Sequence, residues 1–382
     1  MHKIIADENI PGVSEAFSHL GEICLLPGRA ITRETLLDAN FLLVRSITPV
    51  NAKLLQNTAV RFVGTATIGT DHVDTAFLDQ QNITFVSAAG SNADSVAEYV
   101  VAALVHHAVT YGLALAPLTL GVVGVGHIGS RVARMAAALG MRVLLNDPPL
   151  ARQTHDPQYL PLDALMEADM ITLHTPLTHE GEDATVHLFD AARLRAMKRG
   201  SMLINTSRGA VVDNAALKAA LQSGHLSAAI LDVWEHEPDI DSELLRLIEI
   251  GTPHIAGYSL DGKLNGTWQI YLAACEFLGV APQWQLATAL PAVGQPLILL
   301  PSAGRRSEEI LQSVIPHAYD IAADDRRLRA GLNMRAEERG RYFDGLRRDY
   351  PVRRGFHNYL VNLSGNEPAS ARLLKALGFR QC

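Results

Sequence analysis

Three residue types that together can oxidise an alcohol beside a carboxylate occur in short motifs in the second half of the chain. Arg208, in Asn205-Thr206-Ser207-Arg208-Gly209, offers a planar guanidinium fork able to hold a carboxylate by two parallel hydrogen bonds. His254, in Pro253-His254-Ile255-Ala256-Gly257, supplies an imidazole that can take a proton from a hydroxyl near neutral pH. Glu237, in Trp234-Glu235-His236-Glu237-Pro238, can orient that imidazole and stabilise its charged form. By spacing alone, Glu235 is its rival.

Oxidising an alcohol needs a hydride acceptor, and a site for one precedes these motifs. Gly124-Val125-Gly126-His127-Ile128-Gly129 follows the apolar run Leu120 to Val123 and opens a helical stretch from Arg131 to Leu139, and Asp147 ends the next strand. Strand, glycine loop, helix, strand and terminal acid in this order predict a dinucleotide-binding unit. Gly124 permits the tight turn, Gly126 lets backbone approach a pyrophosphate, and Gly129 lets the helix pack closely on the strand, while the helix N-terminus attracts phosphates. His127 and Ile128, between the glycines, are counted among the cofactor contacts; the His127 side chain occupies a variable position and is read as incidental to catalysis. A carboxylate at Asp147 would accept from the adenosine ribose and repel a 2′-phosphate, which predicts NAD rather than NADP.

These residues need a sheet to bring them together. Short β-branched runs at Ile4-Ile5-Ala6, Phe41 to Val44, Arg61-Phe62-Val63 and Ile83 to Val86 alternate with helical stretches, a pattern of parallel α/β structure. A second series follows the helical segment Ser95 to Tyr111, with strands near Leu120 to Val125, Val143 to Asn146, Met170 to His174, Met202 to Asn205 and Ala229 to Val233. Ligands bind beyond the carboxyl ends of such strands. Asp147, Thr175, Arg208 and Asp232 each follow a predicted strand and His254 comes soon after, so all can converge on one edge. His174 also ends a strand there and is the strongest decoy among fifteen histidines; His106, His107, His179 and His187 are read as structural or exposed. No cluster has metal-ligand spacing, so no metal is expected.

After Gly257 the strand pattern lapses into a helix-like stretch, Gly266 to Phe277, and Pro282, Pro291, Pro296 and Pro301 then mark a boundary. From Ser302 on there are 14 Arg and 1 Lys against 10 Asp plus Glu. This basic segment in an otherwise acidic chain is read as a separate small α+β module. Its apolar stripe Leu311, Val314, Ile315, Tyr319 and Ile321 suggests a helix that faces a partner subunit.

Composition bounds the rest. A chain of 382 residues, 48% hydrophobic and 19% charged, has material for two or three domains. A net charge of −7 argues against a general binder of nucleic acid or anionic membranes and favours a small-molecule partner. Cys24, Cys275 and Cys382 lie far apart, which suggests neither a disulfide framework nor a zinc site and is consistent with the cytoplasm. Met1 to Glu8 reaches acidic residues too soon for a signal peptide. His106, His107, Gly112 and Pro117 break the most apolar region, Tyr99 to Gly126, into a helix and a strand rather than a membrane span.

Gly124 to Gly129, Asn205 to Gly209, Leu231 to Pro238 and Pro253 to Gly257, in this order, resemble the D-isomer-specific 2-hydroxyacid dehydrogenases. Asp7-Glu8-Asn9, Val44-Arg45-Ser46, Val63 to Asp71, His254 to Lys263 and the C-terminal extension resemble a branch of that family. Its substrate is a four-carbon, phosphorylated 2-hydroxy acid on the route to pyridoxal phosphate.

The resemblance implies a Rossmann-type NAD domain over 95–257 and a flavodoxin-like substrate domain formed by 1–94 and a return segment 258–286. It also implies a C-terminal dimerisation domain over 287–382, hence a homodimer. It assigns catalysis to Arg208, Glu237 and His254, NAD contacts to Asp147, Thr175, Asp232 and Gly257, and substrate contacts to Ser46, Thr67 and Tyr258. Arg45 or Lys263 could neutralise the phosphate, or C-terminal arginines could do so. The family often has Cys where this chain has Ser91 and Ser207, and neither change removes a catalytic group. Two alternatives stand beside this reading: another family activity such as D-3-phosphoglycerate oxidation, and a dinucleotide-sensing binding protein like the C-terminal binding protein corepressors.

Overall fold

The computed structural model of the chain describes residues 2–364 and 368–381; Met1 and Cys382, both named above, lie outside the described residues. Two compact units form, Met1–Asn92 with Ser259–Ala292, and Ala93–Tyr258 with Val293–Cys382. Each is α/β with parallel strands, the predicted fold class.

The first unit holds β1 (His2–Asp7), β2 (Gly21–Leu26), β3 (Phe41–Val44), β4 (Phe62–Thr65) and β5 (Thr84–Ser87). Their spatial order is β2-β1-β3-β4-β5, that of a flavodoxin-like sheet. β3 and β4 are buried along their whole length, which is why they read as unbroken apolar runs. The edge strand β2 was not foreseen, although Ile23 to Leu26 is an apolar run; a run of four does not by itself distinguish strand from helix, and most of its residues are exposed or half-exposed. The helix Leu260–Leu278 belongs to this unit; Ile270, Tyr271, Ala274 and Cys275 enter the core around Phe17, Phe41 and Phe62. Ser259 caps its start by accepting from Gly262 N at 2.9 Å, and Gly279 ends it at φ +67°, a left-handed turn suited to glycine.

The second unit holds β6 (Thr119–Val123), β7 (Arg142–Asn146), β8 (Met170–Leu173), β9 (Met202–Asn205), β10 (Ala228–Leu231) and β11 (Ile250–Gly251). They lie in the order β11-β10-β9-β8-β6-β7. The chain leaves β6 toward β7 on one side and later returns to β8 on the other, and such a reversal opens a crevice at the carboxyl ends of β6 and β8. The helix Ala93–Thr110 is buried around most of its circumference, as expected of a helix covered on more than one side.

The C-terminal segment packs on that helix. Leu311, Val314, Ile315, Tyr319 and Ile321 share the core of Tyr99, Val100 and Leu104, and the rings of Tyr99 and Tyr319 lie 5.8 Å apart. The stripe expected to face a partner subunit is therefore covered within the chain. Beyond it β12 (Leu297–Pro301), β13 (Leu360–Ser364) and β14 (Arg380–Gln381) form a small parallel sheet in the order β12-β13-β14. No helix among the described residues is long and apolar enough to cross a membrane. Cys24 and Cys275 are free thiols.

A buried ion pair fastens this segment. Arg353 donates to Ala256 O at 3.0 Å and Ser95 O at 2.6 Å, and its guanidinium stacks 3.8 Å above the Tyr319 ring. The carboxylate of Glu98 lies 3.6 Å from Arg353 and accepts from Phe356 N at 2.7 Å. Its other oxygen, Oε2, is buried without a hydrogen-bond partner. Burial pushes the Glu98 carboxyl up to about 7, against the opposing pull of Arg353.

The folded chain thus holds this proton more tightly than the unfolded chain. Between the ordinary carboxyl range and about 7, stability from this group is present at low pH and falls as pH rises. Thermal melting between about pH 5 and 8 should show this decline, and Glu98→Gln, which cannot ionise, should flatten it. A variant whose melting temperature falls over that range as far as the wild type's would rule Glu98 out as the source.

Candidate active site

The glycine loop leaves β6 and enters the helix His127–Ala138. Gly124 sits at φ +84°, and a Cβ there would meet the backbone of His174 at 2.8 Å. At Gly129 a Cβ would lie 1.9 Å from the carbonyl oxygen of Gly124, so only glycine lets the helix approach the strand. Gly126 is different. A Cβ there meets nothing within 4 Å, so no neighbour in the chain requires glycine at this exposed helix N-cap. Beyond β8, the hydroxyl of Thr175 is buried with no hydrogen-bond partner among the described residues. An unobstructed glycine at a helix N-terminus and an orphaned hydroxyl across the same crevice suit a bound phosphate-bearing group. His127 is exposed and Ile128 half-buried in the first turn of the helix.

Asp147 accepts from Val125 N at 2.8 Å with one oxygen and from Leu150 N at 3.0 Å with the other. It pins the glycine loop and caps the helix Pro148–Thr154. Each oxygen retains acceptor capacity for a further donor.

Arg208, Glu237 and His254 follow three neighbouring strands, β9, β10 and β11. Asn205 holds the Arg208 turn from within: its Oδ1 accepts from Ser207 N at 3.0 Å, and its Nδ2 donates to Arg208 O at 2.9 Å. Gly209 then packs so closely on Trp234 that a Cβ would fall 1.9 Å from that residue's backbone. Trp234 in turn donates its indole N–H to Thr252 O at 3.0 Å. The loops bearing Arg208, Glu237 and His254 are thus locked through one tryptophan.

Asp232 supplies the other lock. Its buried carboxylate accepts from the Thr252 hydroxyl at 2.6 Å, Ile255 N at 2.8 Å and Ala256 N at 2.9 Å, while its carbonyl accepts from His254 N at 2.7 Å. These bonds hold His254 at φ +58°, a left-handed conformation that a histidine keeps only when its surroundings impose it. Asp232, expected to contact NAD, is also the residue that builds the histidine loop.

His254 Nδ1 lies 2.8 Å from Glu237 Oε2, and Glu237 Oε1 accepts from Trp234 N at 2.9 Å. Burial alone would raise the Glu237 carboxyl. Charge and hydrogen bonding from His254, the Trp234 amide and the charge of Arg347 outweigh that and hold it below its ordinary value. Glu235, the rival, accepts instead from Asn214 N and pairs with His187, both at 2.8 Å. His174 has both ring nitrogens occupied, by Thr172 at 3.0 Å and Thr206 at 3.1 Å, and burial pushes it down to about 3. It is a neutral structural histidine rather than a proton carrier.

Arg45, Ser46 and Thr67 lie at the carboxyl ends of β3 and β4 in the first unit, where Thr67 bonds Thr65 at 2.8 Å. Gly257 and Tyr258 close the His254 loop in the second. Among the described residues no group of His, Cys, Asp and Glu could hold a metal ion. Two residues of this neighbourhood escaped the sequence reading. Thr252 had no distinguishing signal, and Arg347 was one of many C-terminal arginines; its guanidinium lies 5.8 Å from the Tyr258 ring centroid.

Residues 83–256 match the family described as D-isomer specific 2-hydroxyacid dehydrogenase, NAD binding domain, and residues 297–378 match a domain of unknown function. The chain is 47% identical to erythronate-4-phosphate dehydrogenase of Cellvibrio japonicus over 99% of both chains. Identity to that of Proteus mirabilis is 46%, over 99% of this chain and 98% of the relative. Among solved structures, TT0316 protein from Thermus thermophilus matches at 29% identity and a TM-score of 0.64, over 73% of this chain and 98% of that one. D-Lactate dehydrogenase of Aquifex aeolicus, solved with NAD and lactic acid, matches at 26% identity and a TM-score of 0.58, over 73% of this chain and 96% of that one.

Proposed function

The chain belongs to the D-isomer-specific 2-hydroxyacid dehydrogenases, and among them to the erythronate-4-phosphate dehydrogenases, and from that premise we propose how its residues divide the reaction. It is an NAD-dependent oxidoreductase of vitamin B6 biosynthesis that oxidises 4-phospho-D-erythronate at C2, giving 2-oxo-3-hydroxy-4-phosphobutanoate.

NAD, when bound, supplies the acceptor for the hydride that leaves C2. Gly124, Gly126, His127, Ile128, Gly129, Asp147, Thr175, Asp232 and Gly257 are the residues assigned to hold it, and the open N-cap at Gly126 and the unpartnered Thr175 hydroxyl support that assignment. Asp232 also builds the loop that carries His254. Arg208 grips the substrate carboxylate and fixes the orientation of C2. With Nδ1 directed at Glu237, His254 offers Nε2 to the C2 hydroxyl and removes its proton as the hydride departs. Glu237, kept ionised, stabilises the imidazolium that results. Ser46, Thr67, Tyr258 and Arg45 are assigned to the remainder of the substrate.

The observation that carries this division is the 2.8 Å contact between His254 Nδ1 and Glu237, in a loop whose backbone is held by Asp232. The substrate is tested by NADH formation. Erythronate 4-phosphate should exceed 3-phosphoglycerate in kcat/KM by at least about tenfold, a transition-state difference of about 1.4 kcal/mol. Both present a carboxylate and a C2 hydroxyl, so discrimination must arise at the distal end, where the shorter substrate leaves polar groups unpaired. An equal or reversed ratio removes the four-carbon substrate and leaves the dehydrogenase chemistry intact.

We place the enzyme in the cytoplasm as a homodimer held through the C-terminal domain, residues 287–382. The buried helical stripe is not the contact. Support comes instead from β12, which lies at the end of its sheet with Leu297 and Leu299 50% and 68% exposed, an edge suited to cover by a second copy. A monomer by light scattering would remove the dimer from this reading.

A further inference from the structure

The helix Ala336–Arg348 ends in two arginines that differ in their surroundings. Arg348 is exposed and pairs with Asp349 at 2.8 Å, also exposed. Arg347 turns inward. Its Nε is buried with no hydrogen-bond partner among the described residues, and its guanidinium lies 5.8 Å from the centroid of the Tyr258 ring. Tyr258 follows His254 by four residues, and the charge of Arg347 is felt by Glu237, the partner of His254.

A guanidinium is costly to bury unless its donors are used. Here burial opposes the charge, yet Tyr258, Glu237 and Asp232 together keep Arg347 firmly protonated. A permanent cation that hydrogen-bonds Tyr258 yet leaves its Nε unused, within electrostatic reach of the partner of His254, has donor capacity that an anion could take up. Arginine's planar fork matches a phosphate better than a lysine would. The substrate carries its phosphate two carbons from C2, and Arg208 is already assigned to its carboxylate.

We propose that Arg347, brought by the C-terminal segment, binds the phosphate of the substrate, so that residues 293–382 contribute directly to the active site. This rests on the erythronate 4-phosphate reading above. The competing role is electrostatic: Arg347 could serve only to steady Glu237 and Tyr258, and it would then affect phosphorylated and plain substrates alike.

The discriminating quantity is the ratio of kcat/KM for erythronate 4-phosphate to that for unphosphorylated erythronate, measured by NADH formation in the full-length chain. Arg347→Met should lower that ratio about 100-fold, chiefly through KM of the phosphorylated substrate, since one partner of a desolvated charge pair is removed. Competitive inhibition by inorganic phosphate should weaken in parallel, while NAD affinity stays within about threefold. Arg347→Lys, which keeps the charge but loses the fork, should fall between the two; it also carries the test if the methionine variant does not fold. A variant that loses activity equally on both substrates, and so keeps the wild-type ratio, overturns the proposal. A wild-type chain that forms no NADH from erythronate 4-phosphate rejects the substrate reading instead, a separate outcome.

Discussion

Replacing His254 by Asn is expected to lower kcat by about 100- to 10,000-fold while leaving NAD affinity nearly unchanged. In the proposed mechanism the size follows from losing the proton acceptor: the C2 hydroxyl would have to release its proton to water as the hydride departs, without an imidazole to receive it and Glu237 to stabilise the imidazolium formed. Asparagine is the informative choice because His254 sits at φ +58°, and Asn tolerates the left-handed region better than most residues. The loop should keep its course, and the Asn amide can still donate to Glu237. The glycine loop and the Asp147 carboxylate, which hold the cofactor in this reading, do not bond to His254. Turnover and a fluorescence titration with NADH check both halves. Wild-type turnover would reject the catalytic role, and a parallel loss of cofactor affinity would show that the substitution had disturbed the loop instead.

How far the sequence disclosed this arrangement depended on whether a residue's reason lay nearby in the chain. One constraint on Gly124 is its own positive φ, and that on Gly129 is the carbonyl of Gly124 five residues earlier, so glycines at that spacing were interpretable without coordinates, whereas the His174 backbone that also crowds Gly124 was not visible in the sequence. Arg208, Glu237 and His254 were legible as residue types with specific chemistry just past predicted strands. The parallel sheet that carries them followed from the alternation of strand and helix, but the order that makes their strands neighbours did not. Reasons that lay far away were missed. The stripe Leu311 to Ile321 looked unpartnered because the helix that covers it, Ala93–Thr110, lies about two hundred residues upstream. Arg353 and Arg347 could not be told from solvated arginines, since inward orientation leaves no mark on composition. β2 was lost because its apolar run, Ile23 to Leu26, is too short for periodicity to distinguish strand from helix.

Asp232 holds the histidine loop through three hydrogen bonds to its carboxylate, and its substitution carries the second large effect. In Asp232→Asn the side chain keeps its shape but one oxygen becomes an amide donor. Either Oδ1 can no longer receive the Thr252 hydroxyl and Ile255 N–H, or Oδ2 can no longer receive Ala256 N–H. Whichever way the amide turns, a donor faces a donor inside a buried site. A buried group left unsatisfied costs about 1–3 kcal/mol, and more where the partner was charged, so a stability loss of about 2–4 kcal/mol is expected by denaturant unfolding.

Catalysis should suffer further, because the Ile255 and Ala256 amides hold the backbone that presents His254. A displacement of the order of 1 Å at a reacting group can cost about 100-fold in rate. Under this account kcat falls by about that factor at saturating NAD, and the cofactor dissociation constant moves by much less. A residue acting chiefly as an NAD ligand predicts the reverse: weakened cofactor binding and a kcat that recovers when NAD is raised. The ratio of the two effects in one variant therefore decides whether Asp232 touches the cofactor or builds the loop that holds the proton acceptor.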